Sequence, residues 1–214
     1  MWNRRTVGLM VAGWIGTRMF PSTLLAGQFN AVLSLGDRAP AWTELPGTDG
    51  KRHSLADLES FSLVVVVFTC NSCPYSVDYE DRLVALGKKY SANDSRVAVV
   101  AINVNTIPAD RMEAMKERAA AKQFSFPYLW DETQEIARKF GAARTPECFL
   151  LDQDRKILYM GAIDNSSDPA KVTQRYLEDA ITQSLDGGKT VPGETPPVGC
   201  RIRYQDGRRP AKSR

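Results

Sequence analysis

The sequence predicts an α/β protein in which helices cover both faces of a partly parallel sheet. Residues 62–69 and 96–105 are almost continuously apolar, as in strands that are buried on both faces. Segments with apolar side chains near helical spacing follow these strands, and such an alternation is typical of a three-layer α/β/α domain. The chain has 214 residues, of which 43% are hydrophobic, so it can bury a sizeable core.

Two β-hairpins are predicted, one on each side of the alternating segments. Residues 36–58 combine short extended pieces with the turn signals Pro46-Gly47 and Asp49-Gly50, which predicts an N-terminal hairpin. Residues 147–163 read as a second hairpin, whose turn lies at residues 153–156. The second hairpin would add antiparallel strands to one side of the sheet, so we expect a mixed sheet.

Helices fill most of the remaining sequence. A short extended piece, residues 124–131, separates the second helix from the third. Gly141 closes the third helix, and the last one opens at Asp168-Pro169, a favourable cap followed by a favourable first position. The helices are predicted at residues 76–90, 109–123, 132–142 and 168–188.

The domain organisation follows from these elements. We expect a signal-like or disordered extension at residues 1–35 and a single domain at residues 36–190. Residues 191–214 are rich in proline and then in basic residues, and we expect them to form a tail along the surface. The excess of positive charge lies largely in this tail.

The N-terminus favours export. Arg4 and Arg5 precede a mostly apolar run at residues 7–16, the length of the apolar part of a signal peptide and too short to span a bilayer. Arg18 then interrupts the segment, and no small-residue cleavage site is evident. A periplasmic or extracytoplasmic location is therefore expected, with a cytoplasmic protein carrying an unstructured extension as the alternative.

Composition excludes several classes of function. The net charge is only +3, and no aromatic residues are interleaved with the basic ones of the tail, so no nucleic-acid partner is expected. The chain has one histidine and four cysteines, too few for a haem site with histidine ligands or for a disulfide scaffold. We predict no metal, nucleotide or other cofactor, and the sequence predicts no oligomeric state.

Cys70 and Cys73 form a C-x-x-C motif where the first buried strand ends. At that point Cys70 would face the free N–H groups of the following helix, which lower the pKa of a thiol from about 8.5 into roughly the 3.5–7.5 range. Cys70 is therefore predicted to be the attacking thiol, and Cys73 could then reach back and resolve the mixed disulfide. Pro74 is tolerated in the first helical turn. A C-x-x-C pair is also half of a zinc site, which leaves that alternative open at this point.

The segment "RTPECFLLD" places Thr145 and Pro146 directly before a buried strand. Together with the C-x-x-C motif and the stretches "GDRAPAWTELPGTDGKRHSLADL", "VAVVAINVN" and "TVPGETPPVGC", it resembles the thioredoxin superfamily, and more closely its peroxiredoxin-like redoxin branch. The resemblance covers residues 36–204 and implies a thioredoxin fold. It also implies a redox-active Cys70–Cys73 pair and a cis bond before Pro146, with Thr145 and Pro146 shaping a groove for the substrate. Relatives often have histidine where this chain has Ser72.

The other two cysteines differ in their context. Cys148 lies inside an apolar strand and is interpreted as a small buried hydrophobic residue. Cys200 matches a tail cysteine of the family pattern, so it is a possible third redox thiol, with a structural or surface cysteine as the alternative. The carboxylates of Glu80, Asp81 and Glu147 are interpreted as solvated or salt-bridged.

Thiol–disulfide exchange is the predicted function. A thiol peroxidase is the first alternative, but the residues that would hold peroxide in the peroxiredoxin pattern are replaced here by Val66, Cys70 and Pro146. A non-catalytic protein with a structural disulfide is the second alternative, and a zinc site formed by all four cysteines is the third. The expected partners are protein or small-molecule disulfides and a dithiol electron donor, without an integral membrane span.

Overall fold

The computed structural model describes residues 27–91, 95–208 and 210–211. Its main helices are α1 (Pro74–Lys89), α2 (Met112–Lys122), α3 (Glu135–Phe140) and α4 (Tyr176–Leu185). Its strands are β1 (Leu45–Pro46), β2 (Arg52–His53), β3 (Leu63–Thr69), β4 (Val97–Asn103), β5 (Tyr128–Trp130), β6 (Arg144–Thr145), β7 (Glu147–Leu151), β8 (Ile157–Gly161) and β9 (Cys200–Arg201).

The centre of the fold is a mixed five-stranded sheet in the order β5-β4-β3-β7-β8. Strand β3 pairs in parallel with β4, and β4 with β5, whereas β7 runs antiparallel to both β3 and β8. Every residue of β3 and β4 is buried. Their near-continuous apolar sequence is what burial on both faces requires. The predicted α/β class with a mixed sheet is confirmed.

Alternation along β3 divides its side chains between two cores. Val64, Val66 and Phe68 pack into one hydrophobic cluster, whereas Val65 and Val67 pack into the other on the opposite face. Because both faces are fixed in this way, the register of the strand is fixed as well. The carboxyl end of β3, where the C-x-x-C motif begins, therefore has a defined position.

Both predicted hairpins are present. The first is small, because β1 and β2 contribute only two residues each, with Leu45 opposite His53. The second pairs β7 with β8, and its turn is closed by a hydrogen bond from the Asp152 N–H to the Lys156 carbonyl at 2.9 Å.

The last helix begins later than predicted. The Asp168 side chain accepts a hydrogen bond from the Ala170 N–H at 3.0 Å, but this caps only a 3-10 turn, Pro169–Lys171. The Asn165 side chain then accepts from the N–H groups of Thr173 and Gln174, at 3.0 and 3.1 Å. These bonds hold the chain outside a helical conformation until α4 begins.

The C-terminal segment is built into the packing of the domain. Thr195, Ile202 and Tyr204 are buried, and β9 pairs with β6 in an antiparallel arrangement. We call residues 194–205 the C-terminal strap. Glu194, at its start, accepts hydrogen bonds from the backbone N–H groups of residues 28–30, at 2.6 to 3.0 Å. These hydrogen bonds hold the C-terminal strap against residues 28–30.

The predicted division into extension, domain and tail stays a prediction, and the signal-like residues 1–26 lie outside the described part of the chain. Within the part that the structure describes, no helix combines the length and the hydrophobicity that a membrane crossing needs.

Candidate dithiol site

Cys70 and Cys73 lie at the carboxyl end of the central strand. Cys70 directly follows β3, and Cys73 is the N-cap residue of α1, with an extended backbone conformation. Pro74 occupies the first helical position, where the N–H that it lacks would have no partner within the helix. The chain therefore passes from a buried strand to a helix within residues 70–73, which include both thiols.

Thr145 contacts both thiols of the pair. The Cys70 Sγ and the Thr145 hydroxyl lie 3.4 Å apart, and the Cys73 thiol donates to the Thr145 carbonyl at 3.1 Å. The peptide bond between Thr145 and Pro146 is cis. Cys70 and Cys73 are only 2% and 3% exposed. The structure thus brings together the residues that the sequence singled out.

The pKa of the Cys70 thiol differs from the lowered value that was expected. Its pKa is raised, by its hydrogen bond with Cys73, by burial and by the negative charge of Asp110. The pKa of Cys73 is lowered to about 4, first by the hydrogen bond from the Cys70 thiol and also by the backbone N–H of Ser76 in the first turn of α1. The prediction of a lowered pKa for Cys70 is therefore wrong. Cys73, at the helix N-cap, carries the more acidic thiol.

Asp110 explains why Cys70 lacks the N–H groups that were expected to stabilise its thiolate. The fully buried Asp110 carboxylate accepts from the backbone N–H groups of Asn71 and Ser72, at 2.6 and 3.1 Å. These donors lie between the two cysteines. Because Asp110 occupies them, they are not available to a sulfur anion at Cys70.

Ser72 links Cys70 to the same carboxylate. Its hydroxyl lies 2.5 Å from Asp110 Oδ2 and 3.9 Å from the Cys70 Sγ. Asn105 also donates to this hydroxyl, at 3.3 Å. Ser72 therefore forms part of a polar network that holds the loop between the cysteines.

Sequence reasoning missed Asp110, which was assigned to the start of the predicted helix at residues 109–123 but lies in a 3-10 turn, Pro108–Asp110, beyond β4. One available signal was its place after a buried parallel strand. Polar residues beyond the carboxyl ends of neighbouring parallel strands converge on one edge of the sheet.

Cys200 joins the site from the C-terminal strap. In the β6–β9 pairing it lies directly opposite Thr145, and its thiol and that of Cys73 affect each other's pKa. A cavity of about 280 Å³ opens beside this pair. It is lined by Ser72, Cys73, Pro74, Asn105, Thr106, Ile107, Cys200, Arg201 and Arg203.

Two of the carboxylates considered from sequence behave differently from each other. Glu80 forms an ion pair with Arg118, with a contact of 2.6 Å, as the salt-bridged interpretation predicted. Glu147 is instead 3% exposed and accepts from the N–H groups of Ala143 and Arg144. Burial raises the pKa of Glu147 to about 7. The interpretation of Glu147 as solvated or salt-bridged is wrong, because its partners are backbone donors of the adjoining loop.

Cys148 is fully buried, and its thiol donates to the carbonyl groups of Gly161 and Ala162 at 3.2 and 3.4 Å. It is part of the core, as predicted for a small buried side chain. Across the described residues, histidine, cysteine and acidic side chains form no group of three or more with the arrangement that a metal ion needs.

Comparison with known proteins identifies the family. The Redoxin family model matches residues 34–178, which is more than half of the chain. The chain belongs to the Redoxin family. It is a thioredoxin-like redoxin, as the sequence resemblance predicted, and an enzyme of the oxidoreductase kind.

Individual relatives of this redoxin come from several bacteria. A Mycobacterium tuberculosis protein named "Putative peroxiredoxin MT2597" is 28% identical over 142 residues, 59% of this chain and 83% of its own length. The structure of the hypothetical protein SMc02350 from Sinorhizobium meliloti superposes with a TM-score of 0.76 at 31% identity, covering 83% of this chain and 98% of that one. A Chlorobium tepidum structure named "putative Thiol:disulfide interchange protein DsbE" has a TM-score of 0.58 at 27% identity, covering 72% of this redoxin and 99% of its own chain.

Proposed function

We propose that this redoxin catalyses thiol–disulfide exchange through Cys70 and Cys73, with Thr145 and Pro146 lining the substrate groove. One observation carries the proposal: both thiols of a C-x-x-C pair contact Thr145, the residue directly before Pro146. The similarity to a protein named for thiol:disulfide interchange supports it. The substrates would be protein or small-molecule disulfides, with a dithiol protein as electron donor.

We assign the first attack to Cys73, in contrast to the sequence-based assignment of that step to Cys70. Cys73 lines the cavity, whereas Cys70 does not, and Cys73 has the more stable thiolate. The Cys73 thiolate attacks a substrate disulfide, which gives a mixed disulfide and releases one substrate thiolate. The Cys70 thiolate then attacks the Cys73 sulfur, which forms the Cys70–Cys73 disulfide and releases the second substrate thiolate. Two electrons pass from the protein to the substrate.

Asp110 and Ser72 would serve this second step. Cys70 must lose its proton before it attacks, and the Ser72 hydroxyl connects its sulfur to the Asp110 carboxylate. The negative charge of Asp110 also raises the pKa of Cys70, which keeps Cys70 protonated while Cys73 is the thiolate. Asp110 is a positioning residue in this scheme, since it contacts the loop rather than the reacting sulfurs.

Trapping the mixed disulfide tests both the function and the assignment of roles. Two variants are compared in a Cys200→Ser background, one with Cys70→Ser and the other with Cys73→Ser, each treated with oxidised glutathione. We expect the Cys70→Ser protein to accumulate glutathione on Cys73, detected by peptide mass spectrometry. If glutathione accumulates only on Cys70, in the Cys73→Ser protein, then Cys70 is the attacking thiol and Cys73 the resolving one. The absence of an adduct in both variants would contradict exchange.

A thiol peroxidase is the second candidate, supported by the relative named as a peroxiredoxin and by the lowered pKa of Cys73. Against it, the Arg144 guanidinium donates to the Gly199 carbonyl at 2.6 Å, so this hydrogen bond directs it to the strap. Stopped-flow measurement of hydrogen peroxide consumption distinguishes the two functions. Exchange alone predicts oxidation no faster than that of a free thiolate, whereas a peroxidase would react orders of magnitude faster.

We also propose that the protein is exported, on the basis of Arg4, Arg5 and the apolar residues 7–16. Cell fractionation tests this proposal, since an exported protein would appear outside the cytoplasm with a shortened N-terminus. A full-length product in the cytoplasm would contradict it.

A further inference from the structure

We propose that Cys200 is a third redox thiol, which attacks the mixed disulfide on Cys73 and forms a Cys73–Cys200 disulfide. The oxidised site would then alternate between a Cys70–Cys73 and a Cys73–Cys200 disulfide, with Cys73 as the shared member. This inference rests on the proposed exchange function and adds to it a second route for resolving the mixed disulfide.

The pairing of strands β6 and β9 places Cys200 at the site. Cys200 is opposite Thr145 in this ladder, and Thr145 is the residue that contacts both thiols of the C-x-x-C pair. Cys73 and Cys200 line the same cavity, and each thiol affects the pKa of the other, so the two side chains are close neighbours. Cys73 therefore has a thiol neighbour on each side.

The strap holds Cys200 in this position from both directions. On one side, Gly199 passes so close to Thr145 that an added Cβ would lie 2.1 Å from the Thr145 carbonyl oxygen. On the other side, the Ile202 N–H donates to the Ala143 carbonyl at 3.0 Å, and the Ile202 side chain is buried. Cys200 is thus a fixed part of the site and not a thiol on a mobile tail.

Cys200 is also the most open of the cysteines. It is partly exposed, whereas the other three are buried, and it lines the same cavity as Cys73. A reductant or a second disulfide entering this cavity meets Cys200 and Cys73, and Cys70 does not line it. The arrangement suits a route in which a disulfide forms first between Cys73 and Cys200, at the cavity, and then passes inward to the buried Cys70–Cys73 pair.

The ionisation of Cys200 responds to the state of Cys73. Burial, and then the hydrogen bond and negative charge of Cys73, raise the pKa of Cys200, whereas the Tyr75 backbone N–H and Arg144 lower it. When Cys73 enters a mixed disulfide it loses its negative charge, so only the favourable neighbours and burial remain. Cys200 then ionises more easily, at the stage when a second thiolate is needed.

The relay balances as two exchanges without any further oxidant. In the first, the Cys200 thiolate attacks the Cys73 sulfur of the mixed disulfide, forms the Cys73–Cys200 bond and expels the substrate thiolate. In the second, the Cys70 thiolate attacks Cys73, forms the Cys70–Cys73 bond and regenerates the Cys200 thiolate. The substrate disulfide is the only species reduced, and the protein is oxidised by two electrons in total.

A chromogenic disulfide, 5,5′-dithiobis(2-nitrobenzoate), tests this route in proteins that lack Cys70. In Cys70→Ser, we expect two thionitrobenzoate ions to be released at the site and a Cys73–Cys200 disulfide to be found by peptide mapping. In Cys70→Ser combined with Cys200→Ser, we expect one ion and a lasting adduct on Cys73. Adding Cys148→Ser to both proteins excludes the remaining cysteine from the count.

The outcomes separate the two proposals. A lasting Cys73 adduct in Cys70→Ser, at the level seen in the double variant, would overturn the role of Cys200 and leave exchange intact. Failure of Cys73 to react in either protein would overturn the exchange function and the relay with it. Gly199→Ala, added to Cys70→Ser, keeps the thiols but moves the strap. We expect it to slow release of the second ion at least tenfold, and an unchanged rate would also overturn the relay.

Discussion

The Cys73 thiol donates a hydrogen bond of 3.1 Å to the carbonyl oxygen of Thr145, the last residue of β6, which Pro146 alone separates from β7. Loss of the Cys73 proton removes this bond and leaves a thiolate supported by the Cys70 thiol and the first turn of α1. The hydrogen bonding of Thr145 is therefore coupled to the protonation state of Cys73. This coupling links the groove proposed for the substrate with the thiol proposed to attack it.

The two cysteines should differ widely in their reactivity toward iodoacetamide. Cys73 should already react at its maximal rate by pH 6, because its pKa is lowered to about 4, while Cys70 should remain slow. In Cys70→Ala the midpoint for Cys73 should rise, since the hydrogen bond from Cys70 is the largest cause of the lowered value and alanine has no donor to replace it. Rates measured by mass spectrometry against pH check this. Faster alkylation of Cys70 at pH 6 would contradict the assignment.

Asp110→Asn should loosen the loop between the cysteines. The change removes the charge from a buried group that accepts from Asn71 and Ser72, so we expect a loss of about 1–3 kcal/mol in the free energy of unfolding. The pKa of Cys70 should fall, because the charge of Asp110 raises it. Urea titration and the alkylation profile measure the two effects.

A matched control for Asp110→Asn is Asp81→Asn. The Asp81 side chain is 88% exposed and pairs with Lys122 on the surface. Its loss should change stability by less than about 1 kcal/mol and leave the thiols unchanged. Equal effects of the two substitutions would contradict a special role for the buried carboxylate.

Glu147→Gln should alter the pH dependence of stability. Burial raises the pKa of Glu147 from 4.5 to about 7 in the folded protein, so between these values the folded state holds a proton that the unfolded state has lost. Stability therefore falls as pH rises from about 4.5 to 7, by about 3 kcal/mol in total. Glutamine does not titrate, so the variant should gain stability relative to the parent protein between pH 4 and pH 8. A constant difference, measured by urea unfolding, would contradict the raised pKa.

Gly199→Ala should destabilise the protein more than Gly207→Ala. Both glycines have positive φ values, but a Cβ at Gly199 meets the Thr145 carbonyl carbon and oxygen, whereas one at Gly207 meets nothing within 4 Å. Overpacking against backbone typically costs about 1–3 kcal/mol, and this should appear as the difference between the two variants. Equal thermal denaturation midpoints would show that the strap can move away from Thr145 at little cost.

Sequence patterns predicted the elements that carry the dithiol. The apolar run of β3, the C-x-x-C motif and Pro74 are adjacent in sequence, so local rules for buried strands and helix starts were enough to place them together. Thr145 and Pro146 are distant in sequence and were predicted through the family resemblance. Pairing of β7 with β3 is what brings them to the thiols.

Other features of the site depend on contacts that no local pattern encodes. Asp110 binds the Cys70–Cys73 loop from another segment, and its negative charge adds to the hydrogen bond with Cys73 and to burial in raising the pKa of Cys70. Cys200 depends on a short strand pairing across more than fifty residues of sequence. The late start of α4 has a similar cause, because the Asn165 side chain holds Thr173 and Gln174 in a non-helical conformation.

Exchange through Cys70 and Cys73 can be measured as the redox equilibrium of the pair in glutathione buffers, with Cys200→Ser analysed by acid quenching, alkylation and mass spectrometry. We expect a two-electron couple. Because the Cys73 thiolate is stabilised in the reduced form, its potential should be more positive than the value of about −270 mV of thioredoxin and displaced toward the value of about −120 mV of a strong oxidant. A pair that stays oxidised in excess dithiothreitol, or that never forms a disulfide, would contradict exchange through Cys70 and Cys73.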